Sequence, residues 1–482
     1  MLFNSIDFAF FLPIVFILYW FLTQKSLRVQ NALILIASYF FYGWWDWRFL
    51  FLIFFSTIVD FNIGLLIHKN HNQKKRKLLL WFSLISNLGL LGVFKYYNFF
   101  IENFTSAFLL FGTELNIQSL SLILPVGISF YSFQTLSYTI DIYRNKLNPT
   151  KDFIAFSAFV SFFPQLVAGP IERASNLLPQ FHKKRKFNYY DAADGMRQIL
   201  FGLFKKVVIA DNCAIFANQI FDNSASFEGS TLILGAIFFT FQIYGDFSGY
   251  SDIAIGTSRL FGINLMRNFA FPYFSRDIAE FWRRWHISLS TWFRDYLYIP
   301  LGGSRGSNLK KVRNIFIIFL VSGFWHGANW TFIAWGALNA LFFLPLLLSK
   351  KNRNNIEIVA NTHSLPTLSE FLKMALTFVL VVFAWIFFRA NDISHAFNIV
   401  GSIISPSSLS FPQILTPKLK MTYTILLIAL LIVVEWRNRR EQFGLAIARY
   451  STPIRWFYYT TFLILIATFG YFGKNEFIYF QF

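Results

Sequence analysis

Asn314–Leu348 reads NIFIIFLVSGFWHGANWTFIAWGALNALFFLPLLL, 35 residues without one Asp, Glu, Lys or Arg. At about 1.5 Å per residue an unbroken helix of this length reaches about 50 Å, well past the ~30 Å of a bilayer's hydrocarbon core. The run is therefore expected to break, with a turn near Gly323 to Asn329, giving a helix pair or a broken helix. Non-helical backbone at membrane depth survives only where protein or water lines it, so the turn marks an internal cavity.

Apolar blocks of similar character recur along the chain, over residues 7–22, 30–45, 49–67, 78–94, 98–112, 119–142, 152–168, 195–221, 231–262, 370–389, 421–436 and 455–472. Between about ten and thirteen membrane segments fit. Hydrophobic residues make up 55% of the 482 and charged residues 14%, against roughly 25% charged in soluble domains. The expected fold is an all-α polytopic membrane protein, read as one integral domain over 1–482. Lys and Arg exceed Asp and Glu by 19, but the excess sits in short runs: His68–Lys77, His182–Lys186, Lys310–Arg313, Lys350–Arg353 and Arg437–Arg440. This is the positive-inside pattern rather than a phosphate-tracking groove, so no nucleic-acid partner is expected and all five runs are placed in the cytoplasm. Counting spans from them puts both termini outside, provided 314–348 returns to the side it left. The first block is followed by Lys25 and Arg28 rather than a small-residue cleavage site, and is read as a retained span. A single cysteine, Cys213, excludes a disulfide framework, a Cys-rich metal site and an iron–sulfur cluster.

Two other stretches differ in kind. Residues 264–313 mix Arg267, Arg276, Asp277, Glu280, Arg283, Arg284, Arg294 and Asp295 with Trp282, Trp285 and Trp292, an amphipathic pattern that suits an interfacial or re-entrant element. Phe162–Arg173 (FFPQLVAGPIER) carries two prolines and a glycine in an apolar setting and reads as another broken helix. No repeat of 20–50 residues and no inverted hydropathy symmetry is present, which weakens a transporter built from duplicated bundles.

Five of the seven histidines fall in polar or basic loops; His326 and His286 do not. His326 lies inside the broken block between Trp325 and Trp330. If helix starts at Asn314, twelve residues lift it about 18 Å, into the outer half of the core. It is either a base near neutral pH or a neutral ring bonded to a carbonyl that the turn frees. His286 follows Trp285; on one continuous helix it would share a strip with Arg283, Ser290 and Arg294, while Trp285, Leu289 and Trp292 face elsewhere. Such a strip, with Trp285 beside it, suits a phosphate-bearing donor; snorkelling arginines with interfacial tryptophans explain it equally. In Tyr244–Asp252 (YGDFSGYSD), small residues allow close helix approach, and Asp246 and Asp252 either orient a base or cap a break. The two intramembrane histidines are 40 residues apart without an HExxH pattern, so no metal site is expected.

The order of LPVGISFYSFQTLSYTIDIYR (Leu124–Arg144), Phe162–Arg173, YGDFSGYSDIAIG (Tyr244–Gly256), FWRRWHISLSTWFRDYLYIPLGG (Phe281–Gly303) and SGFWHGANWTFIAWG (Ser322–Gly336) strongly resembles the membrane-bound O-acyltransferase (MBOAT) family. The likeness covers nearly the whole chain and is greatest to the bacterial branch that acylates cell-envelope polymers, of the alginate O-acetylation type. It implies about eleven transmembrane helices, with re-entrant or interfacial helices, around a central tunnel in the bacterial inner (cytoplasmic) membrane. It implies His326 as the catalytic histidine and His286 as the second active-site histidine, with acetyl-CoA as the acyl donor, no bound cofactor, and a polysaccharide acceptor. The last residues, Phe477-Ile-Tyr479-Phe-Gln-Phe482, are similar to that branch's F-x-Y-x-x-F acyl-relay motif, which implies that Tyr479 takes the acyl group and passes it to an extracytoplasmic SGNH-type partner. An aromatic interfacial anchor is the other reading of this 473–482 tail. Peptidoglycan O-acetylation and D-alanyl transfer to teichoic acid stand as alternative acceptors, and a transporter or flippase without covalent chemistry as the rival class.

Overall fold

Helix starts are set by short polar side chains that take up the first free backbone N–H groups. Ser307 caps Asn308–His326 through the Lys310 N–H, Asn329 caps Trp330–Leu348 through Thr331, and Thr367 with Glu370 forms a reciprocal capping box at Leu368–Arg389. The computed structural model describes residues 1–473 and 477–478, and among these it is helical with no strand. Among the described residues six helices are long and apolar enough to cross a membrane: Trp47–Lys69, Gln73–Leu110, Gly229–Leu260, Trp330–Leu348, Leu368–Arg389 and Lys418–Arg437. The resemblance implies about eleven; of the other apolar stretches, Leu27–Gly43, Asn308–His326 and Thr452–Phe469 are continuous helices of 17, 19 and 18 residues, while 195–221 is interrupted by a π-helical turn.

The chain divides into two units, Met1–Ala192 with Thr257–Leu265, and Ala193–Gly256 with Met266–Phe482. In the first, α1 (Leu50–Lys69), α2 (Gln73–Leu91) and α3 (Ile128–Tyr143) are held together by a carboxylate that sequence reading passed over. Asp60 is fully buried and accepts from Ser83 Oγ at 2.6 Å and Asn87 Nδ2 at 2.8 Å, both on α2, and Ser83 Oγ in turn lies 3.0 Å from Thr139 Oγ1 of α3. Inside a membrane protein such polar pairs link helices because no water competes for them. The break expected at Phe162–Arg173 is present. Helix Phe153–Ser161 ends at Phe162, one turn follows over Phe163–Leu166, and the chain then runs non-helically to Arg173, buried from Phe162 to Glu172.

The second unit contains most of α4 (Tyr189–Leu203) and α5 (Gly229–Leu260), with α6 (Ile278–Arg284), α7 (Ile287–Phe293), α8 (Asn308–His326), α9 (Trp330–Leu348), α10 (Leu368–Arg389), α11 (Lys418–Arg437) and α12 (Thr452–Phe469). A π-helical turn, Phe204–Ala210, follows α4. The long apolar block is indeed two helices, α8 and α9, separated by Gly327–Asn329. They lie antiparallel and very close: a Cβ added at Gly323 would meet the Phe332 carbonyl oxygen at 2.2 Å, and one at Gly336 the Phe319 carbonyl at 2.4 Å. Only glycine permits that approach. α8 begins six residues before the expected Asn314 because the basic run Lys310–Arg313 is itself helical, capped by Ser307.

Candidate active site

His326 is the last residue of α8, 3% exposed. Its ring is enclosed by Trp325 (centroids 5.0 Å apart), Trp335 of α9 (5.1 Å) and Phe388 of α10 (5.4 Å), all edge-on or nearly so. Trp335 stacks in turn on Trp385 at 5.6 Å. Large rings therefore fix the imidazole's orientation from three helices, and the Gly323/Gly336 contact brings Trp335 within reach.

His286 is also fully buried, but not as expected. The segment is not one continuous helix: α6 ends at Arg284, Trp285 is extended, and His286 takes a left-handed φ of 43° as the N-cap of α7. A strip spanning Arg283 to Arg294 on one helix is thereby replaced by two short helices meeting at a strained residue. Strain of about 1–3 kcal/mol persists only where surroundings over-determine it, and here they do. Asn268 Oδ1 lies 3.1 Å from His286 Nδ1 and accepts from Ser288 Oγ (2.9 Å), while Asn268 Nδ2 donates to Ser251 Oγ of α5 (3.0 Å). With Oδ1 as acceptor the ring proton sits on Nδ1, which leaves Nε2 its lone pair. Phe247 packs at 4.6 Å and Trp325 at 6.2 Å. Trp325 therefore contacts both histidines.

Beside this aromatic box lies a cavity of about 510 Å³ lined by Arg283, Ser290, Arg294, Trp282, Ser322 and Arg353, among others. Three of the four residues expected at the donor face, Arg283, Ser290 and Arg294, thus meet at one cavity despite the broken helix. Trp285 does not line it. The extended backbone at Trp285 turns the indole inward, onto Phe281 (5.5 Å) and Trp385 (5.2 Å). Ser322 precedes His326 by one turn on α8, about 6 Å along the axis, so the cavity ends near the catalytic candidate. Arg283 donates to the carbonyls of Asn352 and Asn355, both at 2.8 Å, and Arg294 pairs with Asp295 at 2.7 Å. Among the described residues no group of three His, Cys, Asp or Glu side chains is arranged around a common point for a metal ion.

Asp246 and Asp252 each hold a lysine. Lys205 Nζ lies 2.6 Å from Asp252, and Lys206 Nζ 2.8 Å from Asp246 and 2.9 Å from Asp211. Both lysines come from the π-helical turn, and the glycines of the motif permit the contact: a Cβ at Gly249 would meet the Gly202 carbonyl at 2.8 Å. Asn268, Lys205 and Lys206 were missed from sequence. Two consecutive lysines within the apolar block 195–221 were the available signal; an Asn in a loop offers none. Tyr479 lies outside the described residues.

A helical, apolar-spanned chain whose buried histidine lies one helical turn beyond a cavity lined by arginines suits a membrane enzyme, and the sequence comparison agrees. The chain belongs to the membrane-bound O-acyltransferase family, whose MBOAT model matches residues 36–388; it is a membrane O-acyltransferase. It is 42% identical over 409 residues to the probable alginate O-acetylase AlgI of Pseudomonas syringae pv. tomato, covering 84% of this chain and 75% of that one. It is 37% identical to the peptidoglycan O-acetyltransferase of Helicobacter pylori, covering 85% and 81%. The teichoic acid D-alanyltransferase of Streptococcus thermophilus is 29% identical, over 57% of this chain and 70% of its own.

Proposed function

We propose that this chain is an inner-membrane O-acetyltransferase that moves acetyl from cytoplasmic acetyl-CoA to an extracytoplasmic SGNH-type partner, and thence to an alginate-like polysaccharide. The observation that carries this reading is His326, buried in an indole box one turn beyond a cavity lined by Arg283, Ser290 and Arg294. The guanidinium groups suit donor phosphates, and the apolar walls keep competing water from the thioester. An acceptor hydroxyl, assigned to Tyr479, gives its proton to His326 and attacks the thioester carbonyl. The C–S bond breaks, and the leaving thiolate takes a proton back from the imidazolium. A tunnel within a fold of about eleven spans joins the two faces in this reading, and His286 completes the site from the other side of Trp325.

Peptidoglycan as the final acceptor is the second reading, favoured by the 37% identity to a peptidoglycan O-acetyltransferase over 85% of the chain. D-alanyl transfer has less support, since that likeness covers 57%. The test is full-length protein in lipid nanodiscs with radiolabelled acetyl-CoA. His326→Gln is expected to bind the donor with unchanged affinity and to transfer no label to Tyr479 or to a polysaccharide acceptor. Transfer at the wild-type rate by that variant would remove His326 from the chemistry, and movement of intact donor across the membrane would favour a transporter.

A further inference from the structure

We propose that Asp246, held by Lys206, is the positioning residue that seats the C-terminal segment at Phe477–Ile478. The Asp246 carboxylate is 3% exposed and divides its oxygens between two partners: Oδ1 faces Lys206 Nζ at 2.8 Å, and Oδ2 accepts the backbone N–H of Ile478 at 2.8 Å. Lys206 is fixed from its other side by Asp211 at 2.9 Å. A buried backbone N–H must find an acceptor, and a carboxylate is among the strongest.

The ring of Phe477 supplies the second contact. It lies 4.9 Å from Tyr250 and 6.0 Å from Phe247, so the face of α5 that carries Asp246 is continuous with the tail's seat. Phe247 in turn packs on His286 at 4.6 Å. One polar and one aromatic contact on adjacent residues fix register: sliding the segment by one residue would offer Asp246 a different N–H and withdraw Phe477 from Tyr250. Both Phe477 and Ile478 are 1% exposed. The consequence for acyl transfer rests on the reading of Tyr479, the next residue in the chain, as the acyl acceptor; the seat itself does not.

Two measurements on the full-length protein test this: hydrogen exchange of the C-terminal peptide, and transfer of radiolabelled acetyl from acetyl-CoA to Tyr479 alongside acetyl-CoA affinity. In Asp246→Asn, exchange at the C-terminal peptide is expected to rise about ten- to hundredfold, the loss of one charge-assisted bond. Label on Tyr479 should fall at least about tenfold while acetyl-CoA affinity stays within about twofold, because no donor contact is touched. Phe477→Ala removes the ring contact and leaves the Lys206 ion cluster intact, so it serves if Asp246→Asn does not fold; the same pair of changes is expected. Wild-type exchange and labelling in Phe477→Ala, or in a folded Asp246→Asn, would overturn the proposal. In Tyr479→Phe the exchange protection should persist while label disappears. If label is undiminished there and protection still depends on Asp246, the seat stands and the relay reading of Tyr479 fails.

Discussion

Replacing Gly323 with Ala puts a methyl carbon 2.2 Å from the Phe332 carbonyl oxygen. Ordinary contact at that pair needs roughly 3.2–3.4 Å, so α8 and α9 must part locally by about 1 Å or the backbone must bend by as much. Overpacking on this scale costs about 1–3 kcal/mol, a loss that a helical membrane protein can survive. The effect on chemistry should be larger. His326 lies three residues, about 4.5 Å, beyond Gly323 on the same helix, and its ring is wedged against Trp335 of α9. A 1 Å misplacement of a reacting group costs about a hundredfold in rate. Purified Gly323→Ala, reconstituted with radiolabelled acetyl-CoA, is therefore expected to bind donor with an affinity near wild type and to transfer acetyl about a hundredfold more slowly. Transfer within about twofold of wild type, in a variant whose melting temperature has moved, would refute the argument, because the helices would have parted without consequence for His326.

Two further expectations follow from the site. Arg294 lines the cavity with a half-exposed side chain, so Arg294→Gln should raise the KM for acetyl-CoA about tenfold with little change in kcat; a fall in kcat at constant KM would remove it from donor binding. His286 is fully buried, with Asn268 Oδ1 3.1 Å from its Nδ1. In Asn268→Ala burial persists but the Oδ1 partner is gone, so transfer should drop by about tenfold or more, the worth of one buried hydrogen bond. Wild-type transfer in a folded Asn268→Ala would show that this contact does not position the ring.

The breaks were legible because glycine, proline and asparagine in an apolar run have one common reading. Gly327–Asn329 and Phe162–Arg173 both interrupt helix where the sequence placed a break. Of the two indoles flanking the histidine of the first break, Trp325 packs on it while Trp330 is exposed; the second indole at the ring is Trp335, and the third wall, Phe388, lies 62 residues further along the chain. No local pattern announces a contact of that separation. The strip around His286 was misread for a different reason: periodicity assumes a continuous helix, and nothing in WRRWHIS forbids one. What breaks it is tertiary, the hydrogen bonds that Asn268 makes to His286 and Ser288. Arg283, Ser290 and Arg294 still meet because two short helices folded about one residue bring them back to the same cavity. Within the expected spans the local geometry was less legible: 195–221 holds a π-helical turn, and 119–142 becomes helical only at Ile128.

The wide turn Phe204–Ala210 ties distant parts of the chain to one genetic event. The Asp211 N–H reaches back five residues to Lys206, which spares the carbonyl of Val207 for the Tyr471 N–H at 2.8 Å, while Asn212 straddles the Val208 and Phe469 carbonyls. Such a turn holds one residue more than regular coiling requires. Loss of a single codon there would let the helix close up, return the Val207 oxygen to its own strand of bonds, and untie the far terminus more than 260 positions downstream.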